Sequence, residues 1–142
     1  MAYVPKKSLV LVTGGSNEVT KGIKRCDFYD LATDQWSSAP ALNERRTSHA
    51  SCAIQGFVYV CGGHDGKEAR NSIERLDLRS HTKKMWETLP FIKCERGRED
   101  PMIAPLNHSE ILIVGGIEKD HKSYDSPQTS TTGFIIRHHS KA

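Results

Sequence analysis

The sequence predicts an all-β protein assembled from a repeated unit of four short antiparallel strands. Three Gly-Gly pairs each end a hydrophobic run, and they recur at spacings of 48 and 53 residues. Trp36 and Trp86 are 50 residues apart, and each follows a Gly pair by just over 20 residues. A period near 50 residues indicates an array of similar supersecondary units. The three pairs are Gly14 and Gly15, Gly62 and Gly63, and Gly115 and Gly116.

The central copy predicts the four strands of one unit. Residues 48–54 (SHASCAI) form a first strand, and a Gln-Gly turn leads into a second strand at 57–61 (FVYVC). A third strand at 72–78 (SIERLDL) alternates, with Glu74 and the two leucines on one face, and KMWETL at 84–89 supplies the fourth. A continuous apolar run is typical of a strand covered on both faces. We therefore expect the second strand to lie between two other layers.

Side chains at fixed offsets in the repeat are predicted to pack one sheet on the next. Trp36 and Trp86 can each bury a large apolar surface, and Tyr29 and Leu76 occupy matching positions before them. Each Gly pair permits a positive φ or a close backbone approach after a strand. The stretch TGGSNEVTKG also follows a strand, but it lacks the Gly-Lys-Ser/Thr order of a phosphate-binding loop. We therefore expect structural roles for the glycine pairs, Tyr29 and both tryptophans.

Charge and cysteine content exclude several classes of protein. The formal net charge is +3, and acidic residues separate the short basic clusters, whereas nucleic-acid binding needs a broad basic face. No apolar run approaches the roughly 20 residues that span a membrane, and the N-terminus lacks the apolar core of a secretory signal. The four cysteines have no C-x-x-C spacing. We therefore expect reduced, structural cysteines in a cytoplasmic protein that binds neither nucleic acid nor membrane.

The order of these motifs resembles the kelch family. The family pattern is a hydrophobic strand ending in Gly-Gly, a Tyr-Asp step, a Trp, and then an Arg and a small-residue strand before the next Gly pair. The first copy matches it with residues 10–15, Tyr29, Asp30 and Trp36. The second copy matches it with Arg46, Gly56, Tyr59, Gly62, Gly63, Asp77 and Trp86, and Leu76 replaces the usual Tyr. The third start keeps Arg98 and its Gly pair, and Ser109 replaces the turn glycine.

The resemblance implies a β-propeller of four-stranded antiparallel blades. Propellers close with 4–8 blades, and this sequence supplies about two to three, so we expect an incomplete kelch-type propeller that is not closed within the chain. Residues 1–8 are predicted as an N-terminal extension, 9–116 as the kelch repeats, and 117–142 as a partial last blade with a polar loop and a flexible tail. TGFIIR at 132–137 predicts a strand in that last part. A fragment of a longer protein is the favoured explanation, and self-association through open blade edges and an open array are the alternatives.

The resemblance also implies a function, that of a protein-interaction module. Kelch propellers serve as substrate-recognition elements of ubiquitin ligases or as organisers of actin and signalling complexes, and loops on the rigid scaffold form the ligand face. Matching the family's binding loops nominates Arg46, Thr47, Ser48, His64, Asp65 and Arg98 as partner-binding residues. Because arginine forks pair well with carboxylates, the partner is expected to be a protein or peptide, with an acidic peptide as the natural type. The alternative is that Arg46 and Arg98 brace neighbouring loops.

Enzymatic function is the second hypothesis, because some kelch-like propellers are copper oxidases or sugar-acid isomerases. Copper would need histidine and tyrosine ligands that are close together in space, whereas the seven histidines are scattered along the sequence. No H-E-x-x-H motif and no G-x-S-x-G elbow occurs in the sequence. We therefore expect no catalytic, cofactor-binding or metal-binding residues. A non-functional fragment of a longer kelch protein is the remaining alternative.

Overall fold

A computed structural model of the chain describes residues 1–4, 8–80, 82, 84–93, 96–118, 128–129 and 133–137. Every regular element in these ranges is a β-strand, as the sequence predicts. The strands are β1 (Ala2–Val4), β2 (Leu9–Thr13), β3 (Cys26–Asp30), β4 (Gln35–Ala39), β5 (Ala50–Ile54), β6 (Phe57–Cys61), β7 (Ser72–Asp77), β8 (Trp86–Lys93), β9 (Arg98–Glu99), β10 (Met102–Pro105), β11 (Glu110–Val114), β12 (Ile117–Glu118), β13 (Gln128–Thr129) and β14 (Gly133–Arg137).

Antiparallel pairing in sequence order builds the first two blades. Blade 1 contains β1, β2, β3 and β4, and blade 2 contains β5, β6, β7 and β8. Blade 3 contains β10, β11 and β14 in that order, and the short strands β9, β12 and β13 form a separate sheet. The first strand of blade 2, β5, contacts the first strands of both other blades. The described strands leave the ring open, and this arrangement confirms the predicted all-β partial propeller.

Blade 2 is packed on both faces, which explains its apolar second strand. In β6, Val58 and Val60 belong to a buried cluster that contains Leu11 of blade 1. Tyr59 lies between them in the sequence and belongs to a second buried cluster, which contains Ile113 of blade 3. Successive side chains of a strand point to opposite faces. Each face of β6 therefore packs on a different neighbouring blade.

The two tryptophans occupy equivalent positions in opposite environments. Trp86 lies opposite Leu76 in the strand register, is 4% exposed, and donates its Nε1–H to the Pro40 carbonyl oxygen at 2.8 Å. Trp36 lies opposite Tyr29 in the same way, with ring centroids 4.9 Å apart, but it is 62% exposed. Trp86 therefore packs between blades 1 and 2, whereas Trp36 lies mostly at the surface. This row of each blade faces the preceding blade, and the described residues contain no blade before blade 1.

The first residues of the chain differ from the sequence prediction. Residues 1–8 are expected as an extension, yet they contain β1, in which Ala2 lies opposite Leu11 of β2. Ala2 and Val4 are buried there, and Tyr3 between them is exposed. Three residues are too few for a period of two to be recognised in the sequence. Blade 1 therefore has a complete set of four strands.

The last residues agree with the prediction where the structure describes them. The strand predicted at 132–137 is observed as β14, which pairs with β11 along its whole length. The predicted polar loop at 119–131 lies outside the described residues except for the short strand β13. The predicted flexible tail beyond Arg137 lies entirely outside them.

Close backbone approach explains why glycine follows each second strand. All six glycines of the three pairs have positive φ, which L side chains rarely adopt. At Gly63, where φ is +90°, a Cβ would lie 2.5 Å from the Thr47 carbonyl oxygen and 2.8 Å from Cβ of His49. The Gly63 amide also donates to the Arg98 carbonyl oxygen at 2.7 Å. The glycine pair therefore lets the end of one blade contact the segments that link it to its neighbours.

Replacing Trp86 by Ala should lower the free energy of unfolding by about 3–5 kcal/mol, because it empties a large buried site and removes the donor to Pro40. Met85→Ala is the matched control, since Met85 is adjacent in sequence and exposed. Urea denaturation followed by circular dichroism measures both variants. Equal destabilisation by the two substitutions would contradict the packing described for Trp86.

Candidate functional site

The polar loops after the Gly pairs and the segments that link successive blades meet at one end of the blades. Thr47 and His64 exchange two backbone hydrogen bonds, of 2.9 and 2.8 Å. The Asp100 amide donates to the Ser48 carbonyl oxygen at 2.8 Å. The six residues predicted to bind a partner therefore lie in one connected region, which we call the loop end. It comprises residues 16–22, 43–48, 62–70 and 96–101.

Arg46 lies at the centre of a buried polar network. Its side chain is 0% exposed. Nε and Nη2 both donate to Oε1 of Glu74 at 3.1 Å, Nη1 donates to the Gly62 carbonyl oxygen at 2.8 Å, and Nη2 donates to Oγ of Ser72 at 2.7 Å. A guanidinium enclosed in this way presents no surface to a partner. The sequence nominates Arg46 either as a partner-binding residue or as a brace between neighbouring loops, and these hydrogen bonds are those of a brace.

Beside Arg46, the Glu74 carboxylate binds the backbone of the segment that links blades 1 and 2. Its Oε2 accepts the Asn43 amide at 2.7 Å, and its Oε1 accepts the Glu44 amide at 3.1 Å. Asn43 Nδ2 donates in turn to the Trp86 carbonyl oxygen at 2.9 Å. Attraction between two buried charges offsets their desolvation only where further hydrogen bonds satisfy both groups. The backbone amides and carbonyls of the link and of blade 2 supply those bonds.

Arg98 repeats part of this arrangement one blade later. It is buried, and its Nη1 donates to the Gly115 carbonyl oxygen at 2.9 Å, as Arg46 does to the first glycine of the preceding pair. The strand register places Phe134 of blade 3 at the position that Glu74 holds in blade 2. Arg98 therefore also braces a link, without a glutamate from the third strand of its blade. Like Arg46, Arg98 is enclosed by the chain, and its nomination as a ligand contact stays a prediction.

The other four predicted residues are accessible to different degrees. Ser48 is exposed and has a φ of +51°, which turns the chain sharply after the Thr47–His64 pairing. Thr47, His64 and Asp65 are half-buried, with part of each side chain at the surface. These four residues remain the predicted partner-binding set.

Asp65 holds the loop after the second Gly pair in one shape. Its Oδ1 accepts the amides of Lys67 at 2.7 Å and Glu68 at 2.8 Å, and its other oxygen accepts from Arg70. Burial acts to raise the pKa of Asp65, but the two amide donors and the charge of Arg70 outweigh it and hold that pKa below its ordinary value. Because the loop is ordered in advance, binding to it would cost little conformational entropy.

His64 joins this loop to the next link. Its Nδ1 accepts the Gly66 amide at 2.8 Å, and its Nε2 lies 3.6 Å from Oε1 of Glu99. The Arg98 amide donates to the Arg70 carbonyl oxygen at 3.1 Å, which ties the two segments together through the backbone as well. Loops from successive repeats thus form one continuous surface at the loop end.

Sequence reasoning missed several members of the polar network. Asn43, Glu44 and Arg70 carry no pattern that distinguishes them from ordinary loop residues. Glu74 does carry a signal, because the alternation of its strand places it on the same face as Leu76. A carboxylate in a buried apolar row needs a cationic or hydrogen-bonding partner, so its position indicates the ion pair that the structure contains.

His49 is enclosed between the first two Gly pairs. Its Nε2 lies 2.7 Å from Oγ1 of Thr13, and a Cβ on Gly14 would press on its ring. Burial, together with the positive charges of the amino terminus and Arg46, lowers the pKa of His49 to about 4. The ring is therefore neutral at neutral pH and acts as a packing group.

The cysteines described by the structure are packing groups as well. Cys26, Cys52 and Cys61 are buried thiols, and Cys94 lies outside the described residues. Burial raises the pKa of Cys26 to about 11 and that of Cys52 to about 12, so these two thiols stay protonated at neutral pH. In the described ranges, His, Cys, Asp and Glu side chains nowhere gather in threes as a metal site requires. The same part of the chain contains no helix of the length and apolarity needed to cross a membrane.

Comparison with known proteins identifies the repeat. Residues 45–84 match a family model described as Kelch motif. Kelch-like protein 7 of Rattus norvegicus is 28% identical over 84 residues, which cover 56% of this chain and 14% of that protein. Kelch-like protein 8 of Mus musculus is 34% identical over 64 residues, which cover 45% of this chain and 10% of that protein.

A plant relative covers more of the sequence. The F-box/kelch-repeat protein SKIP25 of Arabidopsis thaliana is 25% identical over 127 residues, which cover 82% of this chain and 32% of that protein. The chain thus spans a third or less of the length of these curated relatives.

Replacing Glu74 by Gln should lower the free energy of unfolding by about 3 kcal/mol, because it leaves the buried Arg46 charge with only the partly exposed Glu44 carboxylate, at 3.2 Å, as counter-ion. The matched control is Asp27→Asn. Asp27 holds the same register position in blade 1 but pairs at 2.7 Å with the exposed Arg25, so its loss should cost about 0.5 kcal/mol or less. Urea denaturation measures the free energy of unfolding of both variants.

A double variant that replaces Arg46 by Met and Glu74 by Leu should be more stable than Glu74→Gln, because it removes both buried charges. A double variant no more stable than Glu74→Gln would contradict the buried-charge explanation.

Lowering the pH from 6.5 to 4 should destabilise the fold through His49. The unfolded chain binds a proton on this residue near pH 6.5, whereas the folded chain does so only near pH 4. The stability that His49 contributes is therefore fully present above pH 6.5 and falls by about 3 kcal/mol as the pH decreases through this window. Urea midpoints measured across the window should vary less in His49→Gln than in the wild type. His108→Gln, at an exposed histidine, should keep the wild-type slope, and a slope unchanged in His49→Gln would contradict this assignment.

Proposed function

The chain belongs to the kelch-repeat proteins, and we propose that it is a protein-interaction module whose ligand surface is the loop end of the blades. The proposal rests on the hydrogen bonds by which Arg46, Glu74 and the Gly63 backbone hold the loops and the segments between blades together. Binding residues are commonly found on loops that a rigid scaffold positions. The repeats and the likeness to kelch-like proteins support a protein-binding role in general.

Within this surface, Thr47, Ser48, His64 and Asp65 are the proposed contact residues. They adjoin one another through the Thr47–His64 pairing and the loop that Asp65 closes. Arg46 and Arg98 contribute indirectly, because they hold the links on which these residues lie.

The charge expected of the partner depends on which residues of the loop end are exposed. The expectation of an acidic peptide depends on two arginine forks, and both guanidinium groups are buried and hydrogen-bonded within the chain. The accessible part of the loop after the second Gly pair carries both signs, with Lys67 beside Glu68. We therefore propose a protein or peptide partner and assign it no charge class.

The role of the module in a larger assembly is proposed on the resemblance. A substrate-recognition or scaffold element fits a rigid loop surface of this kind. The three described cysteines are buried thiols, which supports a reducing compartment such as the cytoplasm.

A peptide selected from a phage library on the purified chain tests the loop end. Ser48→Tyr and His64→Ala should each weaken binding of that peptide at least about 10-fold, which corresponds to 1.4 kcal/mol of lost binding free energy. Isothermal titration calorimetry measures the affinities.

The matched control for this test is Thr33→Tyr. Thr33 is exposed in the turn between β3 and β4, at the opposite end of the blades. Peptide binding that survives both loop-end substitutions and is lost in Thr33→Tyr would contradict the assignment of the ligand surface.

A further inference from the structure

The segment that links blades 1 and 2 carries a sequence pattern that the loop-end function does not use. Residues 45–48 read Arg-Arg-Thr-Ser, and the only two consecutive arginines of the sequence thus precede Ser48 by three and two positions. Protein kinases that select basic substrates bind such arginines in acidic pockets, because a guanidinium pairs well with carboxylates. Whether a kinase can recognise so short a pattern depends on where its side chains lie.

The two ends of this pattern are accessible in the structure. Arg45 and Ser48 are both exposed. Between them, Arg46 and Thr47 each form an isolated β-bridge, so the backbone is extended there and successive side chains point to opposite sides. Arg46 is enclosed by the chain, whereas Arg45 lies at the surface three positions before the Ser48 hydroxyl. A kinase acting on the folded chain would therefore recognise Arg45.

Two other hydroxyl residues follow an arginine by three positions, and neither is equivalent to Ser48. Thr82 follows Arg79, but Nε and Nη2 of that guanidinium donate to the Asp77 carboxylate at 3.0 and 3.1 Å. The same guanidinium lies 4.0 Å from the ring centroid of Phe57. The arginine before Thr82 is thus already engaged within the chain. The other hydroxyl residue, Ser140, lies outside the described residues.

The next repeat carries an acidic residue at the position of Ser48. Ser48 and Asp100 each lie two residues after the buried arginine of their link, and their φ angles are +51° and +50°. The residue before each of them pairs with the residue that follows a Gly pair, His64 in one repeat and Ile117 in the next. The backbone position that Ser48 occupies therefore accommodates a negatively charged side chain in the same conformation.

We propose that Ser48 is a phosphorylation site for a kinase that recognises Arg45, and that phosphate on Ser48 weakens binding at the loop end. In the reaction the Ser48 oxygen attacks the γ-phosphorus of ATP, and the bond between that phosphorus and the β,γ-bridging oxygen breaks. ADP leaves, and the hydroxyl proton passes to a base of the kinase. The site is independent of the loop-end function, whereas the effect on binding rests on that proposed function.

Phosphorylation would change the charge of the loop end. A phosphate adds about two negative charges at neutral pH, where the serine hydroxyl carries none. The Asp100 amide donates to the Ser48 carbonyl oxygen at 2.8 Å, so the phosphate would lie close to a second exposed acidic residue. The added charge and bulk fall on one of the four residues proposed to contact a partner. A partner selected by the unmodified surface should therefore lose affinity.

Incubation of the folded full chain with ATP and the catalytic subunit of cAMP-dependent protein kinase tests the site. Mass spectrometry should find one phosphoryl group per chain, on Ser48, and none in Ser48→Ala. Arg45→Ala should lower kcat/KM for phosphorylation at least about 10-fold, because the kinase loses an ion pair with its substrate. Arg79→Ala is the matched control, since it removes the arginine that precedes Thr82, and it should leave kcat/KM unchanged.

Two results of this experiment would overturn the site. One is phosphate on Thr82 or Ser140 in place of Ser48, and the other is an equal kcat/KM for Arg45→Ala and the wild type. Glu74→Gln shows whether the substrate is folded, since it destabilises the chain without changing the sequence of residues 45–48. A rate that rises in this variant in proportion to its unfolded fraction would mean that the kinase acts on unfolded molecules, which also contradicts the proposal.

Calorimetry with the phage-selected peptide tests the effect on binding. The chain phosphorylated on Ser48 should bind that peptide at least about 10-fold more weakly than the unmodified chain. Ser48→Ala taken through the same incubation should keep the affinity that it has beforehand. Equal affinity of the phosphorylated and unmodified chains would overturn the effect on binding. Failure of the loop-end function is a different result, because it is seen in the unmodified chain as an affinity that His64→Ala leaves unchanged.

Discussion

The buried pair of Arg46 and Glu74 is the interaction on which the position of the loop end depends. The guanidinium fixes backbone carbonyls and a hydroxyl of blade 2, while the carboxylate fixes two amides of the link. A buried charge tolerates little change in the geometry of its partners, because each lost contact leaves a desolvated group unsatisfied. The segment that links the two blades therefore has one conformation, and it fixes the positions of the loops beside it.

Stacking of blades supplies the second constraint. The strands of blade 2 pack alternate side chains on blade 1 and on blade 3. The residues that hold the blades together therefore also place the loops of successive blades at the same end. The packed faces and the loop end are separate surfaces, since Ser48 and His64 belong to neither buried cluster.

Much of the fold could be predicted from the sequence because the repeat is encoded in short-range patterns. The backbone at the Gly pairs needs positive φ, which glycine readily adopts. The apolar run of β6 needs cover on both faces. Each pattern is visible within a few consecutive residues. The position of Trp36 could not be predicted, since its environment depends on whether a blade precedes its own. The burial of Arg46 depends on Glu74, which is 28 residues away, and no local pattern in the link shows whether its guanidinium faces solvent or the chain.

The sequence by itself determined the all-β architecture, the period of the repeat and the place of the loops, because glycine conformation and side-chain alternation act over a few residues. Only the tertiary structure decided which residues of those loops reach the surface. It placed Arg46 and Arg98 inside the chain, left Ser48 exposed, and showed that one face at each end of the three blades is uncovered. Burial depends on what packs on a residue from elsewhere in the chain, and a repeat pattern is the same in a blade with two neighbours and in a blade with one.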